Sequence, residues 1–213
     1  SAFKSMLVAD GYADATGAEQ AVPSMAVLFS FLSVQNIISS FFSERTWGMW
    51  RRLEASATSR GTVLTGKAVV AYLLQFVQVL AVLALGALIF GYWPKGSVFA
   101  LLLAILAFSA VLAALGVVLS LWAPTHDTAL SLSNIIGMLA AGIGGSFCTV
   151  SSFPDWAQSA AKLSPAYWAI DAIRAVSLDG AGIGGVLPDI GALAVFFIVL
   201  AALAMARAAT KKD

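Results

Sequence analysis

Charged residues are scarce in this sequence, and their scarcity indicates its class. Only 11% of the 213 residues are Asp, Glu, Lys or Arg, whereas 60% are hydrophobic. The mean hydropathy is +0.91, while an ordinary soluble domain carries about 25% charged residues. The composition therefore indicates a membrane protein, and the net charge of +1 gives no sign of a nucleic-acid partner.

Cysteine and histidine are also nearly missing. The single Cys148 excludes an internal disulfide and any site with several cysteine ligands, and we interpret it as a small membrane-core residue. The single His126 lies beside Pro124 and Asp127 in a short turn, where we expect it to be solvated. The interiors of the apolar stretches carry no Asp or Glu. This excludes the Ser–His or paired-Asp sites of an intramembrane hydrolase and the charged residues of a proton pathway.

Two glycine motifs match nucleotide-binding patterns without their structural context. Residues 61–68, GTVLTGKA, fit the phosphate-binding loop except that Ala68 replaces its hydroxyl residue. No strand pattern precedes Gly61, and an apolar run follows Lys67. We expect Gly61 to end a cytoplasmic helical stretch and Lys67 to snorkel at the membrane surface. Residues 180–185, GAGIGG, lack a βαβ unit, and we expect a flexible loop there. We expect no cofactor bound to this chain itself.

Five apolar stretches are long enough, or nearly so, for the roughly 20 residues that a membrane-spanning helix needs. They predict an all-α membrane protein, a polytopic helical bundle. The predicted spans are residues 22–43, 68–91, 97–122, 128–147 and 187–206.

The distribution of Lys and Arg predicts the orientation of these spans. Of the 12 basic residues, eight fall in the first connection and the C-terminal tail, which five spans place on one side, and four fall on the other. The first connection and the tail are therefore predicted to be cytoplasmic, with residues 1–21 as the end of an extracytoplasmic segment. An external N-terminus without a signal peptide leads us to expect at least one further span before Ser1.

The connection at residues 44–60 is longer than a turn requires. As a helix it places Trp47, Trp50 and Leu53 on one face at three-residue spacing, with charged residues on other faces. The pattern predicts an amphipathic cytoplasmic helix held at the membrane surface. It is either a plain anchor or a docking element for a cytoplasmic partner.

The region at residues 154–178, predicted to be external, also has helical signals. Pro154 and Asp155 are typical of a helix start, and Pro165 divides the region, so two short amphipathic helices are predicted. Asp171 and Arg174 are three residues apart, which allows an ion pair on one helix face.

Neutral polar and small residues recur at helical spacing along the spans. Such residues allow close helix–helix packing, and they equally suit a substrate-facing surface or a dimer contact. The candidates are Ser33, Asn36, Ser40, Gln75, Gln78, Ser131, Asn134 and Gly145.

The order of these features resembles the ABC-2-type transporter permeases. The first motif is a Glu-Arg pair, a Gly, Arg-Leu, a Ser-containing turn and a Gly-Lys that opens a span. It consists here of Glu44, Arg45, Gly48, Arg52, Leu53, Ser56, Ser59, Arg60, Gly66 and Lys67. The second motif consists of Phe153, Pro154, Trp156, Leu163, Ser164, Pro165, Trp168, Ala172 and Arg174. The family often has Ser-Pro in the cytoplasmic turn, where Ser56 is followed by Ala57 here.

The resemblance implies a permease subunit of an ATP-driven exporter in a bacterial inner membrane. Six spans are usual, so the five here correspond to the second to sixth, and many members have a large extracytoplasmic domain after the first span. Two permease subunits, identical or different, pair above two ATP-binding subunits, which hold ATP and magnesium. The helix at residues 44–60 is then the coupling helix. Its implied ATPase-coupling residues are Glu44, Arg45, Gly48, Arg51, Arg52, Leu53, Ser56 and Arg60.

The charge-free spans favour a hydrophobic or amphipathic substrate such as a drug, an antibiotic or a lipid. Export of a glycan or a lipid-linked glycan is an alternative, as is a non-transporting membrane scaffold that recruits a cytoplasmic partner. The sequence has no ring of charges or carbonyl-rich loop of the kind that forms an ion-channel filter.

Overall fold

The computed structural model describes residues 17–46, 60–91 and 94–210. These ranges contain seven α-helices, a 3₁₀ turn at Val150–Ser152 and no β-strand. The helices are α1 (Gly17–Thr46), α2 (Arg60–Phe90), α3 (Val98–Trp122), α4 (His126–Ile143), α5 (Asp155–Ala161), α6 (Pro165–Ser177) and α7 (Ile183–Thr210). The predicted all-α membrane bundle is confirmed.

Four of the described helices, α1, α2, α3 and α7, are long and apolar enough to cross a membrane. The stretch predicted as the fourth span forms α4, which has 18 residues. At 1.5 Å per residue α4 covers about 27 Å, slightly less than the roughly 30 Å of a bilayer core. It ends at Ile143 with Gly144 as its C-cap, and Gly145 follows with φ of 95°, a left-handed conformation that favours glycine.

The second membrane helix begins earlier than predicted. Arg60 is the first residue of α2, so all of residues 61–68 are helical and Gly61 does not end a cytoplasmic helix. A glycine inside a helix costs only about 1 kcal/mol relative to alanine, and no proline stands here to break the helix. The helical conformation also excludes a phosphate-binding loop at this position.

The last membrane helix also begins before its predicted start at residue 187. Gly180, with φ of 66°, lies in the turn after α6, whereas Gly184 and Gly185 lie within α7. The prediction that residues 180–185 form a loop is therefore correct only for their first half. The earlier start moves Asp189 from the edge of the predicted span to the second turn of a helix that is long enough to span, where it is only 5% exposed. The expectation of charge-free spans is therefore wrong at Asp189.

Helix α3 lies at the centre of the bundle and packs against α1, α2, α6 and α7. Phe108 of α3 meets Phe31 of α1 edge to face, with ring centroids 5.7 Å apart. At Gly116 an added Cβ would come within 2.9 Å of the Ile37 side chain, so a larger residue would separate α1 from α3. Close approach at small residues is the usual way for membrane helices to associate.

The two short helices α5 and α6 begin where the proline signals predict. Pro154 precedes α5 as its N-cap, and Pro165 is the first residue of α6. The Ser164 hydroxyl accepts a hydrogen bond from the Ala166 amide at 3.2 Å and donates to the Ala140 carbonyl oxygen at 2.6 Å. This serine therefore caps α6 and also fastens it to the end of α4.

The long helices run between two ends of the bundle: α1, α3 and α7 run toward one end, and α2 and α4 run away from it. We call one of them the basic end. It contains the end of α1, the start of α2, the turn between α3 and α4, and the end of α7. At the opposite end, the Gly96 amide donates to the Val176 carbonyl oxygen at 2.9 Å, joining the start of α3 to the end of α6.

Candidate functional site

Helices α1 and α2 are joined by a buried group of polar side chains. The Gln75 amide nitrogen donates to the Ser33 hydroxyl at 2.8 Å and to the Ser30 carbonyl oxygen at 3.0 Å. The single proton of the Ser33 hydroxyl has two alternative acceptors, Gln75 Oε1 at 3.0 Å and the Ser30 carbonyl oxygen at 2.7 Å. All three residues are buried. The group satisfies its own hydrogen bonds and fixes α1 against α2 in the middle of the bundle.

A second polar contact joins α1 to α4. The Gln35 side-chain amide donates to Oδ1 of Asn134, and nearer the basic end Ser39 Oγ lies 3.1 Å from Nε2 of His126. The His126 ring also meets Phe42 edge to face at 5.4 Å. The prediction of a solvated turn residue is correct only in part, because the His126 side chain is 40% exposed but belongs to the first residue of α4 and packs onto α1.

A cavity of about 310 Å³ lies between α1 and α2 at the basic end. Ile37, Phe41, Val70 and Leu74 are among its apolar lining residues. Its polar lining residues are Asn36, Ser40, Thr62 and Lys67. The Lys67 ammonium lies 4.9 Å from the centroid of the Phe41 ring, a cation–π contact. This volume is at the lower end of the roughly 300–1,000 Å³ of small-molecule sites. The mixed lining suits a molecule that has both apolar and polar parts.

A larger and almost wholly apolar groove of about 570 Å³ lies between α2, α3 and α7. It also lies toward the basic end, but it uses a different face of α2, which contributes Thr65, Ala68, Val69 and Tyr72. Much of the rest of its wall consists of alanines from α3 and α7. The two concave sites are therefore separate.

Residues 7–206 match the sequence profile of the ABC-2 family transporter proteins. This chain belongs to the ABC-2 family. It is also 21% identical over 185 residues to the linearmycin resistance permease protein LnrN of Bacillus subtilis (strain 168). That match covers 86% of this chain and 48% of LnrN, so the chain spans about half the length of this curated relative. No solved structure matches significantly.

The predicted coupling residues of this ABC-2 permease are only partly within the described ranges. Five of them lie outside: Gly48, Arg51, Arg52, Leu53 and Ser56. Glu44 and Arg45 belong to the last turn of α1. Arg60 begins α2 and therefore lies beyond the connection that was predicted to end with it. Helix α1 therefore ends immediately before residues 47–59, and α2 begins immediately after them.

The predicted polar stripe divides between two environments in the structure. Ser33 and Gln75 are buried in helix packing, whereas Asn36 and Ser40 line the smaller cavity. Gln78 is half-buried one turn from Gln75. On α4, Asn134 bonds to α1, Ser131 is exposed, and Gly145 lies in the turn after the helix.

The predicted polar stripes do not include some of the polar residues that join the helices in the structure. Gln35 and Ser39 occupy an adjacent face of α1 at a four-residue spacing, which is the signal that would have indicated a second contacting helix.

At the opposite end, the Arg174 guanidinium donates to the Ser24 hydroxyl at 3.0 Å. Arg174 is also close enough to Asp171 for its positive charge to lower the pKa of that carboxyl, as their three-residue spacing allows. Burial raises the pKa of Asp171, Arg174 opposes this effect, and Asp179 adds to it.

Proposed function

We propose that this permease is the membrane subunit of an ATP-driven exporter of hydrophobic or amphipathic molecules, such as drugs, antibiotics or lipids. The observation that carries the proposal is the α1–α2 cavity, which combines apolar walls with Asn36, Ser40 and Lys67. Family membership and the printed name of LnrN, a linearmycin resistance permease, support it. ATP and magnesium would be held by two separate ATP-binding subunits beneath a pair of permease subunits.

The connectivity of the helices supports a route for coupling. Helix α1 ends at Thr46 and α2 begins at Arg60, so residues 47–59 link the two walls of the cavity directly. A force on this connection would act on both walls near their basic end. The Ser33–Gln75 hydrogen bonds hold α1 and α2 together further along the helices. A change of cavity shape then requires only that the ATP-binding subunit contacts the two states differently.

One reconstitution experiment with two variant pairs tests this proposal. The full-length permease and its ATP-binding subunit are placed in liposomes, and export of a fluorescent amphipathic dye such as rhodamine 6G is measured together with ATP hydrolysis. We expect Arg51→Glu/Arg52→Glu to lower dye-stimulated hydrolysis by about 5- to 150-fold, the range of typical coupling free energies. Lys211→Glu/Lys212→Glu makes the same charge change in the tail and should leave hydrolysis nearly unchanged.

The second pair tests the cavity in the same assay. Ser40→Phe places a ring in the cavity and should abolish dye export while basal ATP hydrolysis continues. The control is Ser43→Phe, one turn further along α1 at an exposed position that does not line the cavity. Equal export by both variants would contradict the cavity assignment. Intact docking of the ATP-binding subunit without any export activity would favour a membrane scaffold.

A further inference from the structure

The apolar groove between α2, α3 and α7 has the depth of one membrane leaflet. Along α3 its lining runs from Leu121 to Ala110, and along α7 from Ala208 to Phe197. Each stretch is about 16 Å long at 1.5 Å per residue, roughly half of a 30 Å hydrocarbon core. The groove therefore begins at the basic end of the bundle and stops near the bilayer midplane.

The walls of the groove suit a linear hydrocarbon chain. Small side chains leave the space open: Ala68, Ala110, Ala113, Ala114, Ala201, Ala204 and Ala208. Thr65 and Tyr72 are the polar residues in the lining. A polar ligand would lose its hydration here with few partners to replace it, which is costly. An acyl chain has no hydration to lose on entering, and it fills space that water would occupy poorly.

A positive charge beside an aromatic ring lies next to the basic end of the groove, although neither residue is part of the lining. Arg207 immediately precedes the lining residue Ala208, and its guanidinium lies 5.2 Å from the centroid of the Trp122 ring. The Nε atom of Arg207 is buried without a hydrogen-bond partner in the described part of the chain. A planar guanidinium suits the oxygens of a phosphate, and tryptophan is enriched at the depth of lipid headgroups.

We propose that this groove binds one acyl chain of an anionic phospholipid from the leaflet at the basic end, with the lipid phosphate at Arg207. The positive charge beside the basic end of the groove and the leaflet-deep apolar wall together select this ligand class. The positive-inside rule makes that leaflet the cytoplasmic one, which is rich in anionic lipid in many membranes. The lipid is a resident ligand, bound on a different face of α2 from the α1–α2 cavity.

Photolabelling of the full-length permease tests the proposal. The protein is reconstituted in nanodiscs that contain trace phosphatidylglycerol or phosphatidylcholine with a photoreactive group on the acyl chain, and labelled residues are mapped by mass spectrometry. We expect phosphatidylglycerol to label the α3 and α7 walls at least about fivefold more than phosphatidylcholine, a difference of about 1 kcal/mol. Arg207→Gln should abolish this preference, and Arg207→Lys should retain much of it.

A second pair of variants tests occupation of the groove itself. Ala204→Phe fills it and should remove the labelling, whereas Ala206→Phe lies on the exposed surface of the same helix outside the lining and should not. Equal labelling by both lipids, or labelling that is insensitive to Ala204→Phe, would overturn the proposal. So would crosslinking of the groove to another helix of the full-length protein. Labelling that disappears during ATP turnover would show an exported molecule rather than a resident lipid.

Discussion

Gln75 shows how one buried polar side chain fixes the relation between two helices. Its amide reaches Ser33 and the Ser30 carbonyl on α1, so its hydrogen-bonding capacity is used in the protein interior. Interhelical hydrogen bonds in membranes contribute about 0.6–2 kcal/mol each. This is modest, but the bonds are directional and therefore select one rotation of α2 against α1.

Removal of this contact should destabilise the bundle by a measurable amount. We expect Gln75→Leu and Ser33→Ala to couple by about 0.6–2 kcal/mol in a double-mutant cycle, because the side chains bond to each other. The measurement is the free energy of unfolding of the full-length protein in mixed micelles.

The control for this cycle is Gln78→Leu, one turn along α2. The Gln78 side chain is half-buried and makes no hydrogen bond to the described residues. A coupling of zero between positions 33 and 75, or an equal loss of stability at position 78, would contradict the assignment.

Residue spacing alone does not separate the two roles of the polar stripe on α1. Ser33, Asn36 and Ser40 follow one helical face in the sequence, yet Ser33 is buried and the other two line a cavity. The difference arises because α2 is close to α1 at Gln75 and leaves a space toward the basic end. The sequence therefore predicts a polar face, but only the position of the neighbouring helix decides its use.

At the scale of helices, short segments at the end opposite the basic end fix the positions of the long helices relative to one another. The Lys95 and Gly96 amides donate to the Ser177 and Val176 carbonyl oxygens at the end of α6. An added Cβ at Gly96 would come within 2.7 Å of the carbonyl oxygens of Val176 and Ala181. The start of α3 can approach α6 and the following turn this closely only with glycine at position 96.

Alanine substitutions at two glycines should therefore have opposite effects. We expect Gly96→Ala to lower the free energy of unfolding by about 1–3 kcal/mol, because backbone atoms must move apart. At Gly191 in α7 an added Cβ would meet nothing within 4 Å. Gly191→Ala should instead raise stability by about 0.5–1 kcal/mol through helix propensity. A loss of the same size at both positions, measured by unfolding in micelles, would refute the close contact at Gly96.

The ends of the helices were less predictable than their existence. Sequence hydropathy places the second span at residue 68, where the unbroken apolar run begins, but α2 starts at Arg60. A helix continues through polar residues at the membrane surface as long as nothing breaks it, and hydropathy does not record this. For the same reason Asp189 lies within α7 although the sequence places it at the edge of a span.

For the whole molecule, the basic end and the opposite end should face different compartments. Cys148 is the single cysteine of this chain. It is exposed in the turn region after α4, at the opposite end, so its interpretation as a membrane-core residue is wrong. Asp127, at the start of α4, is exposed at the basic end. The two positions therefore report the orientation of the bundle.

Thiol labelling in intact cells checks this orientation. We expect a membrane-impermeant maleimide to label Cys148 from outside in a protein that has no other cysteine. The matched variant, Asp127→Cys in a Cys148→Ser background, should be labelled only after the membrane is permeabilised. The reverse pattern would invert the predicted topology and place the lipid groove in the outer leaflet.

The amino-acid sequence by itself determines the membrane class, the helical bundle, the two short helices and the family resemblance, because each depends on local composition or on motifs along the chain. Tertiary structure alone decides the pairing of Ser33 with Gln75, the contact of His126 with α1 and the leaflet-deep groove beside Arg207. These features require residues from helices that are distant in sequence to meet. Their contacts depend on the rotation and depth of each helix, which hydropathy leaves open and interhelical packing fixes.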